Sequence, residues 1–274
     1  MRHILIATLS LAAMPAFAVD LVAHRGASYD APENTVSSIK LGYEQGADAV
    51  EIDVYLTKDG RVVLFHDKNT AKLDGDKSPI ADRTLAELQK LDVGTWKGAN
   101  GAWKGDKYAG EKMPVLEDVL DLIPRGKKIF LEIKCGPEVL PPIKKIFDEA
   151  GIGGNEITII TFNEDTAAGA KKMFPSIPVY WLESIKQNEQ TGEWGPPREE
   201  LIATAKSLGV DGVDLQARPI IDAAYVQAVK DANLAMHVWT VDDPAEAKRL
   251  TEAGVDSITT NRPAFLRENL GRSK

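Results

Sequence analysis

The feature of this sequence that most constrains its fold is a regular alternation of β-rich runs with segments of helical period. Eight β-rich runs cover residues 21–24, 49–54, 129–134, 157–162, 179–182, 212–216, 236–241 and 257–260. Segments of helical period lie at 32–45, 116–123, 141–150, 164–174, 199–208, 222–232, 244–253 and 263–270. Strands that alternate with helices form a parallel sheet with right-handed crossovers, and eight parallel strands can close into a barrel. The sequence therefore predicts one α/β domain, a (β/α)8 TIM barrel.

One segment breaks this repeat. After the second run, Asp59-Gly60 is a strong signal for a two-residue hairpin turn. The turn makes residues 62–65 antiparallel to the second strand and returns His66 to the carboxyl end of that strand. Residues 67–113 then form a long polar excursion, and long excursions within compact domains are usually functional. We therefore expect an insertion at 67–113, after the second strand.

Composition excludes several classes of protein. The chain of 274 residues carries a formal net charge of −8, which argues against a protein that coats nucleic acid or anionic membrane. A single Cys excludes an intramolecular disulfide and a Cys-rich zinc site. No stretch reaches the roughly 18 apolar residues of a membrane-spanning helix, so we expect no stable membrane insertion. The sequence does not indicate an oligomeric state.

The first 18 residues have the pattern of a secretory signal peptide. A short basic start, Met1-Arg2-His3, precedes an apolar run at 4–14, and Ala16-Phe17-Ala18 fits the small-x-small cleavage site. The apolar run could instead be the first element of the fold, but Pro15 interrupts it where processing is expected. We predict cleavage after Ala18, a barrel domain at 19–274, and a secreted or periplasmic location.

Acidic side chains end two neighbouring β-rich runs. Glu51 and Asp53 are two residues apart and share one face of the second strand, and Glu132 and Lys134 share one face of the third. In a parallel barrel that face is the interior near the carboxyl-terminal mouth, where barrel enzymes have their active sites. Three converging carboxylates suit a hard divalent ion, Mg²⁺ or Ca²⁺. The alternatives are a half-exposed strand for Glu51 and Asp53 and a simple Glu132–Lys134 ion pair.

Two histidines and two cations join these acids. His24-Arg25 closes the first strand, and the hairpin returns His66 to the same mouth. Histidine titrates near neutral pH, so one imidazole can accept a proton while the other donates one. With a divalent ion, Arg25 and Lys134 leave the site positive overall, which suits a singly charged phosphodiester whose oxygens these side chains would hold. We therefore expect a small-molecule phosphodiester as the partner.

The sequence resembles the glycerophosphodiester phosphodiesterase family at these residues and beyond them. The matching blocks, in order along almost the whole of 19–274, are HRG at 24–26, PENT at 32–35, EIDV at 51–54, TKDG…HD at 57–67, LDVG at 91–94, MPVLEDVL at 113–120, LEIK at 131–134, VWTV at 238–241 and TNRP at 260–263. The resemblance implies a phospholipase C-like phosphodiesterase barrel with an insertion above it.

The resemblance also implies roles for individual residues. It makes Glu51, Asp53 and Glu132 metal ligands, His24 the general base and His66 the general acid, and it places Arg25 and Lys134 on the phosphate. It places Asn34 near the ligand and Trp239 on the pocket wall. For Asn34 a hydrogen bond at the helix start is an equal alternative. For Trp239 the alternative is plain core packing.

These observations predict metal-dependent hydrolysis of glycerophosphodiesters, such as deacylated phospholipids, to glycerol 3-phosphate and an alcohol. The nucleophile is either a neighbouring glycerol hydroxyl, which gives a cyclic phosphate, or a water. A second possibility is a lysophospholipase D or sphingomyelinase D-like phosphodiesterase, which needs an apolar channel for an acyl chain. A third, from another class, is a non-catalytic barrel that binds phosphodiesters.

The signal peptide can be tested on the native protein. Intact-mass analysis of the exported protein should give a chain that begins at Val19, because the cleavage site lies after Ala18. An exported protein that still begins at Met1 would contradict the prediction.

Overall fold

The computed structural model describes residues 19–98, 101–103 and 106–272; the predicted signal peptide, 1–18, lies outside them. The described strands are β1 (Asp20–Ala23), β2 (Ala49–Leu56), β3 (Val62–Leu64), β4 (Lys128–Ile133), β5 (Ile157–Thr161), β6 (Val179–Glu183), β7 (Lys186–Gln187), β8 (Trp194–Gly195), β9 (Gly212–Gln216), β10 (Ala235–Trp239) and β11 (Ser257–Thr260). All eight predicted runs contain a strand. The short hairpin of β7 and β8 was not predicted.

Eight of these strands form a closed parallel barrel. Their order around the ring is β1, β11, β10, β9, β6, β5, β4 and β2, and a further pairing of β1 with β2 closes it. The strands that follow one another along the chain are thus neighbours in the barrel. This confirms the predicted (β/α)8 fold and the predicted contact between the second and third barrel strands.

Most of the described helices follow barrel strands on the outside, and two short ones, at 71–74 and 85–88, lie in the insertion. The helices are α1 (Val36–Glu44), α2 (Ala71–Asp74), α3 (Leu85–Leu88), α4 (Leu116–Leu120), α5 (Leu140–Ala150), α6 (Glu164–Met173), α7 (Arg198–Leu208), α8 (Ala223–Asp231), α9 (Pro244–Ala253) and α10 (Pro263–Asn269). Eight of them match the predicted segments to within a few residues. Within the described ranges, no helix is both long and apolar enough to cross a bilayer.

The start of the first helix was predicted wrongly. The prediction placed it at residue 32, whereas α1 begins at Val36. Asn34 has a φ of 57°, in the left-handed region, so the chain cannot be helical there. Thr35 is the N-cap, and its side chain accepts a hydrogen bond from the Ser38 backbone N–H. The four residues before α1 are therefore a turn at the barrel mouth.

The barrel strands bury both of their faces. Val50, Ile52 and Val54 point outward into the main hydrophobic core beneath the helices, as the alternation predicted. The interior holds a separate cluster that includes Val22, Phe130 and Leu182. Because apolar side chains fill the barrel below its mouth, open space and polar chemistry are confined to the carboxyl ends of the strands.

The insertion has a hydrophobic core of its own. The β2–β3 hairpin is antiparallel, with Val54 opposite Leu64, as predicted. Buried apolar side chains from the hairpin and the following residues form the second cluster: Val63, Phe65, Ile80, Leu88, Val93, Met113 and Val115. Residues 67–113 are thus anchored on β3 rather than forming only a polar loop, and this anchoring fixes the position of the chain that carries His66.

Candidate active site

One cavity opens at the carboxyl-terminal mouth of the barrel. It has a volume of about 340 Å³ and is lined by His24, Arg25, Glu51, His66, Glu132, Lys134, Ile160, Phe162, Leu182, Asp214, Trp239, Thr240 and Thr259. Seven of the nine predicted site residues are in this lining. The other two, Asn34 and Asp53, are buried beside it and bonded to each other.

The three predicted metal ligands form a compact cluster. Asp53 on β2 and Glu132 on β4 are directly opposite in the parallel register, and Glu51 lies two residues before Asp53 on the same face. Each of the three carboxylates offers an oxygen, and these oxygens lie within 4.8 Å of one another. All three residues are buried. Glu51 Oε1 and Asp53 Oδ1 find no hydrogen-bond partner among residues 19–98, 101–103 and 106–272.

The electrostatics of the cluster favour a bound cation. Burial and the charges of Asp53 and Glu132 raise the pKa of Glu51 well above its usual range. Burial and Asp53 raise the pKa of Glu132 to about 7. Burial also opposes ionisation of Asp53, but the charges of Arg25 and Lys134 outweigh it and lower its pKa. Buried carboxylate oxygens without a hydrogen bond, in an all-carboxylate set, fit a hard divalent ion such as Mg²⁺ or Ca²⁺.

Arg25 is held in place by its backbone as well as by its side chain. Its φ is 55°, and its backbone N–H donates to Glu51 Oε2 at 2.8 Å. The guanidinium lies 2.9 Å from Glu33 and 3.2 Å from Asp53. The next residue must be glycine, because a Cβ on Gly26 would come within 2.4 Å of the Ser38 backbone. This turn directs Arg25 into the cavity.

Lys134 lies directly after β4 on the same side of the cavity. Its Nζ donates to Glu132 Oε1 at 2.6 Å and lies 3.4 Å from Asp53 Oδ1. The Glu132–Lys134 ion pair considered as an alternative is therefore present, and it is compatible with a position beside the acidic cluster. Two fixed cations thus border the three carboxylates.

His24 faces the acidic cluster with one ring nitrogen. Its Nδ1 lies 2.8 Å from Asn261 Oδ1, and its Nε2 lies 4.0 Å from Glu51 Oε2. The Asn261 amide is itself fixed, because its Nδ2 donates to Asp242 at 2.7 Å. Its oxygen therefore accepts from Nδ1–H, which leaves Nε2 as the basic nitrogen. Burial and Arg25 lower the pKa of His24 to about 4, so the ring is neutral at pH 7.

His66 is oriented by a chain of charges from the insertion. Its Nδ1 lies 2.6 Å from Asp67 Oδ1, and Lys72 on α2 lies 3.4 Å from Asp67 Oδ2. Lys72 also contacts Glu33 at 2.5 Å, and Glu33 in turn holds Arg25. Burial lowers the pKa of His66, while Asp67 and the charge of Asp53 oppose that effect.

Asn34 and Trp239 have different surroundings. Asn34 Nδ2 donates to Asp53 Oδ2 at 2.8 Å, and its Oδ1 accepts from the Asp53 backbone N–H at 3.0 Å. The helix-start alternative for Asn34 is wrong, because Thr35 provides that cap. Trp239 lines the cavity, donates from Nε1 to the Asp214 carbonyl at 3.2 Å and contacts the ring of Phe162 edge to face.

Sequence reasoning missed four residues of this site. Glu33 and Asn261 lie in the PENT and TNRP blocks, but neither was given a role. Lys72 belongs to the insertion and Asp214 to a β-rich run with no obvious signal. A polar side chain directly after a barrel strand is the one signal that could have indicated Asn261.

Comparison with known proteins gives the family of this chain. Residues 24–265 match the model of the glycerophosphoryl diester phosphodiesterase family. The chain belongs to this family. A glycerophosphodiester phosphodiesterase of Caldanaerobacter subterraneus is 34% identical over 252 residues, covering 90% of this chain and 95% of the relative. One from Bacillus subtilis is 28% identical over 253 residues, covering 88% and 83%.

A solved structure supports the same grouping. It is that of an Oleispira antarctica phosphodiesterase in complex with the product sn-glycerol-3-phosphate. That protein is 28% identical to this chain and superposes with a TM-score of 0.78 over 92% of this chain and 96% of its own. The barrel fold is thus that of the phosphodiesterase family.

The role of Asp67 can be measured on this family member by replacing it with asparagine. A carboxylate beside Nδ1 stabilises the imidazolium, so Asp67→Asn should lower the pKa of His66 by about 0.5 to 1. NMR titration of labelled histidine, with His66→Gln to assign the signal, gives this value. Asp82→Asn, an exposed acid of the same insertion, is the control. An unchanged or higher pKa in Asp67→Asn would contradict the contact.

Metal binding should depend on pH. Glu51 and Glu132 have raised pKa values without metal, so a cation must displace their protons. Affinity should therefore rise with pH and weaken up to roughly tenfold per pH unit for each proton displaced as pH falls through 7. Calorimetry with Mg²⁺ or Ca²⁺ in buffers of different ionisation enthalpy measures both effects. Metal binding to Glu132→Gln should release fewer protons than metal binding to the unchanged chain. Equal metal affinity of the unchanged chain at pH 6 and at pH 8 would refute metal binding by this cluster.

Proposed function

We propose that this chain hydrolyses glycerophosphodiesters, such as deacylated phospholipids, to glycerol 3-phosphate and an alcohol, with Mg²⁺ or Ca²⁺ held by Glu51, Asp53 and Glu132. As a member of its family, the chain is an enzyme, a glycerophosphodiester phosphodiesterase. The observation that carries the finer proposal is one cavity that unites a buried acidic cluster, two cations and two differently oriented histidines. Such a set suits a singly charged phosphodiester.

The phosphate group would lie between the acidic cluster and the two cations. Arg25 and Lys134 border the carboxylates and can each donate hydrogen bonds to non-bridging phosphoryl oxygens. A divalent ion, when bound, polarises a phosphoryl oxygen and neutralises developing negative charge. Asn34 acts here through Asp53, because its Nδ2 donates to the Asp53 carboxylate and its Oδ1 accepts from the Asp53 backbone N–H.

The two histidines would move the protons. Neutral His24 accepts a proton at Nε2 from the attacking hydroxyl, which is either a glycerol hydroxyl or a water, as a bond from that oxygen to phosphorus forms. The bond from phosphorus to the departing alcohol oxygen breaks, and His66 donates a proton to that oxygen. Asp67 stabilises the imidazolium form of His66 that this step needs.

The other two functions are less well supported. A lysophospholipase D or sphingomyelinase D-like activity requires an apolar surface for an acyl chain. In the part of the chain that the structure describes, Phe162 is the one large apolar side chain that is well exposed to solvent, at 41%. A non-catalytic binding barrel has no need for two oriented histidines, yet both are in place.

We also propose that the enzyme acts after export, in the periplasm or outside the cell. The support is the basic start, apolar run and Ala16-Phe17-Ala18 site of residues 1–18. In such a compartment the substrates would be glycerophosphodiesters released from phospholipids.

Catalysis by the two histidines is tested by His24→Gln and His66→Gln. Each should lower kcat for glycerophosphocholine by about 10² to 10⁴, because each removes one proton transfer, with thermal unfolding close to that of the unchanged chain. His237→Gln is the matched control, since His237 lies outside the cavity lining and contacts Ser257 and Tyr180. Chelation should abolish turnover and Mg²⁺ or Ca²⁺ restore it. Near-normal kcat in either His24→Gln or His66→Gln would refute the assignment.

A further inference from the structure

Asp214 is a buried acid of the cavity to which the reaction described above gives no task. It lies on β9, is 1% exposed and lines the cavity together with the two histidines. Its Oδ1 is buried and makes no hydrogen bond to any residue of the described ranges 19–98, 101–103 and 106–272. A buried carboxyl oxygen without a partner costs free energy unless something enters to pair with it. The side chain therefore offers an unpaired carboxyl oxygen beside the cavity.

The barrel topology places Asp214 across the mouth from the acidic cluster. β9 is four strands from β2 in either direction around the ring, so the two strands are diametrically opposite. Asp214 is nevertheless close enough that the charge of Glu132, after burial, contributes to raising its pKa. A molecule whose phosphate lies beside β2 and β4 can extend its other end across the cavity toward β9.

Of the cavity-lining residues between the two sides, Thr240 and Thr259 carry hydroxyl groups and the others are apolar or aromatic. On one side the cavity is lined by Ile160 and Leu182, and on the other by Trp239, Thr240 and Thr259. Trp239 already donates its indole N–H to the backbone carbonyl oxygen of Asp214, so it does not pair with the side chain of that residue. A substrate arm that carries hydroxyl groups and reaches the β9 side of the cavity would meet the Asp214 carboxyl group there.

We propose that Asp214 binds the free hydroxyl groups of the glycerol arm and thereby selects glycerophosphodiesters over diesters of alcohols without further hydroxyls. This inference rests on the proposed function and names the group of the substrate that determines specificity. Hydroxyl groups can pair with a carboxyl group in either protonation state, because each hydroxyl both donates and accepts.

The energetic reason for selectivity is the cost of an unpaired group. A glycerol hydroxyl replaces the missing partner of Asp214, whereas an alkyl group displaces water and leaves the carboxyl group unpaired. Sites built to bind a hydroxyl reject analogues that lack it far more strongly than apolar pockets discriminate by size. Asp214 is thus a specificity-determining residue that contacts substrate, while the proton transfers remain with the histidines.

A matched pair of ligands tests this inference without relying on turnover. Glycerol 3-phosphate and propyl phosphate have the same three-carbon skeleton and the same phosphate, and only the first carries hydroxyls. Calorimetry in the presence of Mg²⁺ or Ca²⁺ should show that the unchanged protein prefers glycerol 3-phosphate by about tenfold or more. Asp214→Ala should reduce the preference to near one, by weakening glycerol 3-phosphate and retaining or strengthening propyl phosphate.

Two further variants complete the design. Asp214→Asn keeps the shape and one acceptor, so it should retain part of the preference even if Asp214→Ala is less stable. Asp165→Asn, an exposed acid on α6, should leave the preference unchanged. If the unchanged protein, Asp214→Ala and Asp214→Asn all prefer glycerol 3-phosphate over propyl phosphate to the same degree, the proposed role of Asp214 is overturned. Failure to hydrolyse glycerophosphocholine is a separate result that would overturn the proposed function instead.

Discussion

Mutual repulsion among three buried carboxylates is the constraint on which the rest of this site depends. Glu51, Asp53 and Glu132 converge because β2 and β4 are paired in register, and burial denies them the water that would screen their charges. Arg25 and Lys134 stabilise Asp53 but leave the other two with raised pKa values. The cluster therefore holds protons that a further positive charge would displace, and a divalent ion could supply that charge.

The fold surrounds this cluster with groups from distant parts of the chain. The turn after β1 presents His24 and Arg25, and the hairpin anchored on its own apolar core returns His66 from the other side. Lys72 and Glu33 connect the two approaches through a continuous line of ion pairs. Barrel and insertion thus position two histidines and two cations around one acidic cluster.

Local sequence patterns predicted much of this arrangement, because they rest on local geometry. The period of two along a strand was enough to bring Glu51, Asp53 and Glu132 to one face, and the Asp59-Gly60 turn was enough to reverse the chain toward His66. Contacts between remote residues carry no such period. The hydrogen bond that His24 donates to Asn261 joins residues 237 positions apart in the sequence. Asp214 lies across the mouth from the acidic cluster only because the strands close into a barrel. α1 begins four residues later than predicted because Asn34 has a left-handed backbone conformation. Asparagine adopts this conformation more often than most residues, but that preference is too weak to predict it from the sequence.

The most direct test of the central claim is anomalous X-ray diffraction from crystals of the protein grown with Mn²⁺, a stand-in for Mg²⁺ or Ca²⁺ with measurable anomalous scattering. The account predicts one strong peak at the barrel mouth, within coordination distance of carboxylate oxygens of Glu51, Asp53 and Glu132. A peak elsewhere in the cavity, or none at these three residues in crystals of active enzyme, would contradict it.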